Sequence, residues 1–292
     1  MVSKLDFYKI FYYVGKHGSF SKAAKELYIT QPAVSQAIMQ LEQELDTRLF
    51  SRTPKGVTLT NEGEILFEHV HSALNLLVAG EAKISEFKHL TTGQLRIGVG
   101  DTISKHFLLP YLEDFHNRYP KIKFKIMNGT TIELTAYLKA GEIDLAVCNF
   151  PIDDASIEQR PVMEVHDIFV CGEKYKHHFT EPADVQQLNQ YPMIFLEPNS
   201  NSRVYVEDYL LKKGIKIAPE FELGSHDLLL EFARINLGIA CVTKEFALEH
   251  LNKKYVHEIP LAESIPSRSI GVCYLKGVSL SSAATRFLEL LL

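Results

Sequence analysis

The chain has 292 residues, of which 46% are hydrophobic and 23% are charged, and its formal net charge is −5. This composition is typical of a globular protein of about two domains and excludes a disordered or fibrous protein. The four cysteines form no C-x-x-C pair, which argues against a zinc ribbon, a redox motif or a disulfide scaffold. With no secretory signal and no membrane-length apolar run, we expect a cytoplasmic chain without a membrane partner.

Charge divides the chain into two unlike parts. Residues 1–60 contain eight Lys or Arg and five Asp or Glu, a balance of +3, and the remainder has a balance of −8. A basic segment joined to an acidic body is typical of a module that binds a polyanion, attached to a domain with another task.

The first ninety residues are predicted to form helices with one short interruption. Two short helices cover Leu5 to Lys16 and Ser21 to Leu27, and residues 28–30 break the helical pattern. Thr30 is suited to cap a third helix, whose first turn contains Pro32. The apolar stripe of this third helix has spacings of 4, 3 and 4 and consists of Val34, Ile38, Leu41 and Leu45. Two short helices joined by a three-residue turn predict a helix-turn-helix.

The opposite face of the third helix is polar. It presents Gln31, Pro32, Ser35, Gln36, Met39 and Gln43. Glutamine can make bidentate contacts with adenine and serine can pair with any base, so this face suits readout of the DNA major groove. The alternative is an ordinary solvated helix face. The turn, the cap, the hairpin that follows and the local positive charge favour the DNA-reading interpretation.

Residues 50–60 predict a hairpin. Pro54 and Gly56 flank its turn, and apolar and polar residues alternate beyond it. Arg52 and Lys55 place positive charge at this hairpin, where they are positioned to hold the DNA backbone beside the minor groove.

A long helix is predicted next. Asn61, with Glu64 three residues later, predicts a capping box that opens a helix ending near residue 89. Seven of its residues follow a heptad spacing, namely Leu66, Val70, Ala73, Leu77, Gly80, Ile84 and Phe87. A narrow seam over three heptads predicts that the helix pairs with a second copy of itself or with another helix. The alternative is an amphipathic helix that lies on its own domain.

From residue 95 onward, predicted strands and helices alternate. The strands cover residues 95–99, 122–126, 143–148, 168–171, 193–196, 221–223, 239–242 and 270–275. The helices cover residues 103–118, 132–140, 202–213, 227–236 and 281–292. This alternation predicts parallel sheets covered by helices, with a ligand beyond the carboxyl ends of the strands.

The segment 19–52 has the pattern S-F-S-x-A-A-x-x-L-x-x-T-Q-P-A-V-S-x-x-I-x-x-L-E-x-x-L-x-x-x-L-F-x-R. It resembles the winged helix-turn-helix of the LysR-type transcriptional regulators, and T-P-K-G-V-T-L-T-x-x-G over residues 53–63 resembles their wing and linker helix. The resemblance covers essentially the whole chain. It implies an α/β fold class: an N-terminal winged helix-turn-helix with a long linker helix, then a two-lobed, periplasmic-binding-protein-like effector domain.

The resemblance also implies domains and partners. The expected divisions are a DNA-binding domain at 1–60, a linker helix for dimerisation at 61–90 and an effector-binding domain at 91–292, with lobe I at 95–164 and 268–292 and lobe II at 165–267. The expected partners are double-stranded promoter DNA with an interrupted palindrome, a small-molecule effector and one or three further copies of the chain. RNA polymerase is a further candidate partner. No cofactor or metal is expected. The candidate DNA-binding residues are Ser21, Thr30, Gln31, Pro32, Ala33, Ser35, Gln36, Gln40, Arg52 and Lys55.

The family resemblance places the effector in the cleft between the lobes. The candidate effector-binding residues are Asp101, Thr102, Ile103, Ser104, Thr130, Thr131, Asn149, Phe150, Asn199, Ser200, Ser202 and Ser225, and Pro198, Arg203 and His226 lie beside them in sequence. Helix N-termini and hydroxyl groups suit a small organic anion, which is the first expectation. Asp101 would repel an anion and leaves room for a ligand with an amino group, such as an amino acid. Helix capping is the alternative role for the serines and threonines.

Other classes fit the sequence less well. No G-x-S-x-G, P-loop or H-E-x-x-H motif occurs, and the turn at residues 98–100 lacks the third glycine of a dinucleotide fingerprint, so we expect no enzymatic activity. A small-molecule-binding protein or enzyme with a periplasmic-binding-like fold is the alternative, but it would leave the helix-turn-helix without a purpose. The cysteines lie in or beside apolar strands, where we expect inert packing.

Overall fold

The computed structural model describes residues 5–53, 56–86 and 93–292. They belong to two compact units, of which the first contains residues 5–53, 56–85 and 139–142 and the second contains residues 86, 93–138 and 143–292. Within the described ranges, no helix is both long and apolar enough to cross a membrane.

The first unit consists of four helices and a two-stranded hairpin. In chain order these are α1 (Leu5–His17), α2 (Phe20–Glu26), α3 (Gln31–Glu44), β1 (Phe50–Thr53), β2 (Gly56–Leu59) and α4 (Asn61–Glu86). Hydroxyl caps explain where α2 and α3 begin: Ser19 Oγ accepts from the Lys22 N–H at 3.3 Å, and Thr30 Oγ1 accepts from the Ala33 N–H at 3.4 Å. The predicted helix-turn-helix and hairpin are therefore present.

Two local predictions in this unit are wrong. The cap of α4 is Thr60 rather than Asn61, since Thr60 Oγ1 accepts from the Gly63 N–H at 3.0 Å and donates to the Arg48 carbonyl at 2.7 Å. Leu45 is 40% exposed, because α3 ends at Glu44 and Leu45 already belongs to its C-cap.

The core of the first unit joins α1, α2 and α3 to the hairpin. Its buried side chains include Phe11, Val14, Ala23, Val34, Ile38, Leu41 and Leu49. A carboxylate reinforces this packing: Glu42 Oε1 accepts from the N–H groups of Leu49 and Phe50 at 2.7 and 3.2 Å. The apolar stripe of α3 is thereby held inward, and its polar face is turned outward.

The predicted heptad seam of α4 divides into two parts. Leu66 and Val70 pack in the core of the first unit, as the alternative interpretation of an amphipathic helix expected. Ala73 and Leu77 are exposed, and the latter retains 48% of its accessible surface. Gly80 is open as well, since a Cβ built there would meet no heavy atom within 4 Å. The side chain of Ile84 and the whole of Phe87 lie outside the described residues.

The second unit contains ten strands. Its first half consists of β3 (Gly93–Val99), α5 (Asp101–Ile103), a π-helical segment (Ser104–Leu108), α6 (Leu109–Arg118), β4 (Ile122–Met127), α7 (Thr131–Lys139), β5 (Leu145–Asn149) and β6 (Ile157–Val165). Its second half consists of β7 (Asp167–Cys171), α8 (Glu173–Lys176), α9 (Val185–Leu188), β8 (Met193–Leu196), α10 (Asn201–Lys212), β9 (Phe221–Leu223), α11 (His226–Arg234), β10 (Ile239–Thr243), α12 (Lys244–Asn252), β11 (His257–Ile259), β12 (Arg268–Leu275) and α13 (Ser282–Leu291).

These strands form two five-stranded sheets, which define two lobes. Lobe I is built on the sheet β4-β3-β5-β12-β6, and lobe II on the sheet β11-β7-β10-β8-β9. The expectation of parallel sheets is wrong for part of each, because β12 runs antiparallel to β5 and β6, and β7 runs antiparallel to β10 and β11. The chain passes from lobe I to lobe II between β6 and β7 and returns between β11 and β12.

The strand β6 escaped prediction for a physical reason. It lies at a sheet edge, many of its residues are partly exposed, and it contains Pro161 beside an irregularity in its register with β12. Proline is tolerated at edges and bulges because no ladder hydrogen bond is lost there. A strand of this kind lacks the apolar run by which the buried strands are detected.

We expect Gly63→Ala to destabilise the first unit by about 1–3 kcal/mol, since the added methyl group would lie 2.2 Å from the backbone oxygen of Leu49. Gly80→Ala in the same helix is the matched control, because there is open space around it and alanine favours a helix by roughly 1 kcal/mol. Calorimetric melting of the full chain compares the two variants. Unchanged melting of Gly63→Ala would contradict this packing of α4 against the start of the hairpin.

Candidate functional site

The polar face of α3 is open to solvent. Of the predicted DNA-binding residues, Ser21, Thr30, Gln31, Pro32, Ala33, Gln36 and Gln40 are exposed and Ser35 is half-buried. Met39 on the same face keeps 58% of its surface exposed. Lys55 and the side chain of Arg52 lie outside the described residues.

Hydrogen bonds along α3 order part of this face. Gln31 Nε2 donates to Ser35 Oγ at 3.0 Å, and Gln40 Nε2 donates to Glu44 Oε1 at 3.4 Å. Gln36 makes no side-chain hydrogen bond with another described side chain, so both its amide oxygen and its amide nitrogen are available. An exposed glutamine with a free amide near the start of such a helix has the chemistry needed to contact a base edge.

A cavity of about 250 Å³ lies in the second unit, between lobe I and lobe II. Nine of the predicted effector-binding residues line it: Asp101, Thr102, Ile103, Thr130, Thr131, Asn149, Asn199, Ser200 and Ser202. Ser104, Phe150 and Ser225 are not among the lining residues. Phe150 packs instead with Cys148, Ile157 and Cys273 in the core of lobe I.

Several lining residues were not among the predicted ones. They include Asn128, Glu133, Cys148, Glu197 and Thr243, together with His226, which the sequence placed only beside the site. Glu133 could have been found, because it stands three residues after Thr130 in a capping box. Its Oε2 accepts from the Thr130 N–H at 2.7 Å and from the Thr130 hydroxyl at 2.9 Å. Thr243 is the last residue of β10, far along the chain, and no local pattern marks it.

The charges at the cavity are negative. Three carboxylates line it, those of Asp101, Glu133 and Glu197, and no Lys or Arg is among its described lining residues. Asp101 Oδ1 accepts from Asn128 Nδ2 at 2.5 Å, which holds that carboxylate in place. The hydrogen bonds from the Thr130 N–H and hydroxyl lower the pKa of Glu133, so it is ionised at neutral pH.

Arg203 does not offset this charge. Its guanidinium is buried and donates to Glu207 Oε1, to Glu222 Oε1 and to the Leu196 carbonyl, each at 2.7 Å. Its charge is therefore neutralised within lobe II.

A buried ion pair joins the two places where the chain passes between the lobes. Arg268 Nε lies 2.6 Å from Asp167 Oδ2, and both side chains are almost fully buried. The same guanidinium donates to Thr243 Oγ1 at 3.0 Å and to Asn149 Oδ1 at 2.5 Å. Because Asn149 and Thr243 line the cavity, this network forms part of its floor.

The four cysteines are buried and free. Cys148 Sγ and Cys273 Sγ lie 3.8 Å apart on the neighbouring strands β5 and β12. Hydrogen bonding with Cys273 and burial raise the pKa of Cys148, and burial raises the pKa of Cys171 to about 11. Thiols with such pKa values are protonated and weakly reactive at neutral pH.

Comparison with known proteins assigns the chain to a class and then to a family. Its architecture, a helix-turn-helix unit followed by a two-lobed unit around a cavity, defines a ligand-responsive DNA-binding regulator. The family model described as "Bacterial regulatory helix-turn-helix protein, lysR family" matches residues 5–64, and that described as "LysR substrate binding domain" matches residues 88–292. The chain belongs to the LysR family of transcriptional regulators.

Individual relatives agree along nearly the full length. The regulator CysL of Bacillus subtilis (strain 168) is 25% identical over 288 residues, which cover 93% of this chain and 96% of CysL. Full-length CbnR in complex with its target DNA matches with a TM-score of 0.65 at 18% identity, covering 99% of each chain. The effector-binding domain of QuiR in complex with shikimate matches with a TM-score of 0.61 at 21% identity, covering 69% of this chain and 96% of that one. At these identities the two structures establish the fold alone.

Asp167→Asn should lower the free energy of unfolding by about 3–5 kcal/mol, because it leaves the Arg268 charge buried without its counter-ion. Asp114→Asn is the control, since the pair of Asp114 with Arg118 is exposed and such pairs contribute less than about 1 kcal/mol. Urea unfolding of the full chain, followed by circular dichroism, measures both losses. Equal losses would contradict the structural importance of the buried pair.

Proposed function

We propose that the chain binds promoter DNA in the cytoplasm through the exposed face of α3, and that a small molecule in the inter-lobe cavity controls this binding without being chemically changed. The observation that carries the proposal is the sidedness of α3. Its apolar stripe is buried by the first unit, while its glutamines and Ser35 remain accessible. A helix presented in this way fits the major groove.

The proposed DNA contacts are of two kinds. Gln31, Ser35, Gln36 and Gln40 are proposed to reach base edges, with Thr30, Pro32 and Ala33 beside them and Ser21 at the start of α2. Arg52 and Lys55 are proposed to hold phosphates, which position the helix without specifying the sequence. The positive balance of residues 1–60 supports this assignment, and the complex of CbnR with its target DNA shows that a protein of this fold binds DNA.

The proposed assembly is a homodimer or homotetramer that pairs through α4. In the outer half of the seam, Ala73 and Leu77 are exposed and there is open space around Gly80, which gives an apolar and small surface of the kind on which a second helix packs. Two recognition helices would then enter successive major grooves about 34 Å apart, on an interrupted palindrome. In this arrangement the proposed divisions are a DNA-binding domain at residues 1–60, a linker helix at 61–90 and an effector-binding domain at 91–292. Contact with RNA polymerase is the proposed route to transcription.

The proposed effector site is the inter-lobe cavity, with the nine predicted residues that line it. A concave site lined by residues of both lobes allows a ligand to favour one lobe arrangement over another, which is a shift of population. The effector-binding domain of QuiR, which has this fold, binds shikimate. A buried polar network joins the two lobes. A ligand that shifts the lobe arrangement would in turn change how the bound DNA is bent.

Gln36→Ala tests the DNA-reading face. We expect it to weaken binding to a duplex selected by the parent protein from a random-sequence library by about 1–3 kcal/mol, with little change for an unrelated duplex. Gln94→Ala is the matched control, because Gln94 is exposed on β3 in the second unit. Fluorescence anisotropy at fixed salt measures both affinities. Full retention of affinity and selectivity in Gln36→Ala would refute base readout by this residue.

Leu77→Asp tests the dimer. A charge in an apolar helix seam is unfavourable, so we expect the variant to dissociate at concentrations where the parent is a dimer or tetramer. Val78→Asp adds the same charge at the next position of α4, which is 63% exposed and lies outside the heptad seam, and serves as the control. Sedimentation velocity measures the mass. An unchanged mass for Leu77→Asp would place the dimer contact elsewhere.

A further inference from the structure

His226 contains a buried hydrogen-bond donor that the chain leaves without a partner. The residue stands at the start of α11 and is 2% exposed. Its Nε2 accepts from the Thr243 backbone N–H at 2.9 Å. A backbone amide can only donate, so Nε2 is the unprotonated nitrogen of the ring. In the neutral ring, Nδ1 therefore carries the proton.

The ring is neutral at physiological pH. Burial, with a further contribution from His106, lowers the pKa of His226 to about 3. Nδ1 is the one buried side-chain polar atom of the described residues that has no hydrogen-bond partner. Such a donor costs roughly 1–3 kcal/mol when it stays unpaired. His226 lines the inter-lobe cavity, and a ligand acceptor that reaches Nδ1 from there, after a shift of the buried ring, would recover that cost.

A metal ion cannot be the missing partner of this donor. The ligating atoms of His106, His226 and Asp227 lie within 4.8 Å of one another, which is close enough to consider a metal. A metal needs a nitrogen lone pair, whereas Nε2 of His226 is engaged by Thr243 and Nδ1 is protonated. Asp227 is already paired with Lys105 at 2.7 Å. The acceptor is therefore an oxygen or nitrogen atom of a ligand.

The same cavity also favours a positively charged group on the ligand. Asp101, Glu133 and Glu197 line it with three carboxylates, and its described lining residues include no Lys or Arg. The carboxylate of Glu197 makes no hydrogen bond with another described residue. Opposite charges attract within a few ångströms, so a positively charged group is favoured here and a ligand with two or more carboxylates is repelled.

The start of α10 adds donors on the side of lobe II. Ser200 occupies its N-cap without making a side-chain capping hydrogen bond, and Ser200, Asn201 and Ser202 all line the cavity. The first backbone N–H groups of a twelve-residue helix lack partners within the helix and attract an anionic oxygen. Together with His226 Nδ1–H, they favour a single carboxylate.

We propose that the effector is an amino acid, whose ammonium group faces Asp101, Glu133 and Glu197 and whose carboxylate accepts the hydrogen bond of His226. This inference rests on the proposed function, because it names the ligand class of the same cavity. His226 is then a specificity-determining residue rather than a packing residue. The cavity volume of about 250 Å³ suits a compact ligand such as an amino acid.

The test is isothermal titration calorimetry of the full chain with a panel of α- and ω-amino acids. Each amino acid is compared with its des-amino carboxylic acid and with its decarboxylated amine. We expect an amino acid to bind and both truncated analogues to bind at least about tenfold more weakly. Equal binding of a carboxylic acid without the amine, or of an amine without the carboxylate, would overturn the inference, as would the absence of binding by every amino acid.

Two variants assign the two contacts separately. Asp101→Asn should reduce the preference for the amino acid over its des-amino analogue, and His226→Phe should remove the preference over the decarboxylated amine. Asp208→Asn, an exposed residue of α10 outside the cavity, is the control and should change neither preference. If a water molecule rather than the ligand accepts from His226, the His226→Phe variant still prefers the amino acid over its decarboxylated amine. In that case the inference fails. Asp101→Asn still tests the ammonium contact if His226→Phe does not fold.

The failure of this inference is distinguishable from the failure of the proposed function. A carboxylic acid that binds the parent and loses affinity in Thr131→Ala would overturn the ligand class and keep the cavity as the effector site. A ligand whose affinity is unchanged in both Thr131→Ala and Asn149→Ala would remove the cavity from the proposed function, and the amino acid assignment with it.

Discussion

The buried pair of Arg268 and Asp167 is the interaction on which the second unit depends. Arg268 opens β12 and Asp167 opens β7, so the pair joins the two strands that begin where the chain crosses between the lobes. Taking both charges out of water is costly, and further hydrogen bonds from the guanidinium to Thr243 and Asn149 offset part of that cost. The consequence is a fixed polar floor beneath a cavity whose walls belong to different lobes.

This floor also explains why His226 matters. Its Nε2 is held by Thr243, whose hydroxyl accepts from Arg268, so the ring is connected to the lobe crossing by two hydrogen bonds. A ligand that engages Nδ1 would act on the same network that joins the lobes. In the proposed function, this network is the route by which ligand binding is coupled to the arrangement of the lobes.

Sequence reasoning succeeded where one local period or cap determines the structure. The stripe of α3 from Val34 to Leu41 and the hydroxyl cap at Thr30 are of this kind, and they expose the polar face of α3. It failed where two signals compete, as at Asn61, where the preceding Thr60 supplies the cap. It could not find the unpaired proton of His226, because that depends on a backbone amide 17 residues away. Of the negative charges at the cavity, the sequence indicated only Asp101, since Glu197 reaches the same cavity only through the fold.

The most direct test of the account measures whether the cavity and the DNA-reading face communicate. Operator affinity is measured with and without the amino acid that binds most tightly, and the affinity for that amino acid is measured with and without operator. The account predicts that both affinities change by the same factor, since linkage between two sites is reciprocal. Affinities that are independent of each other would contradict it.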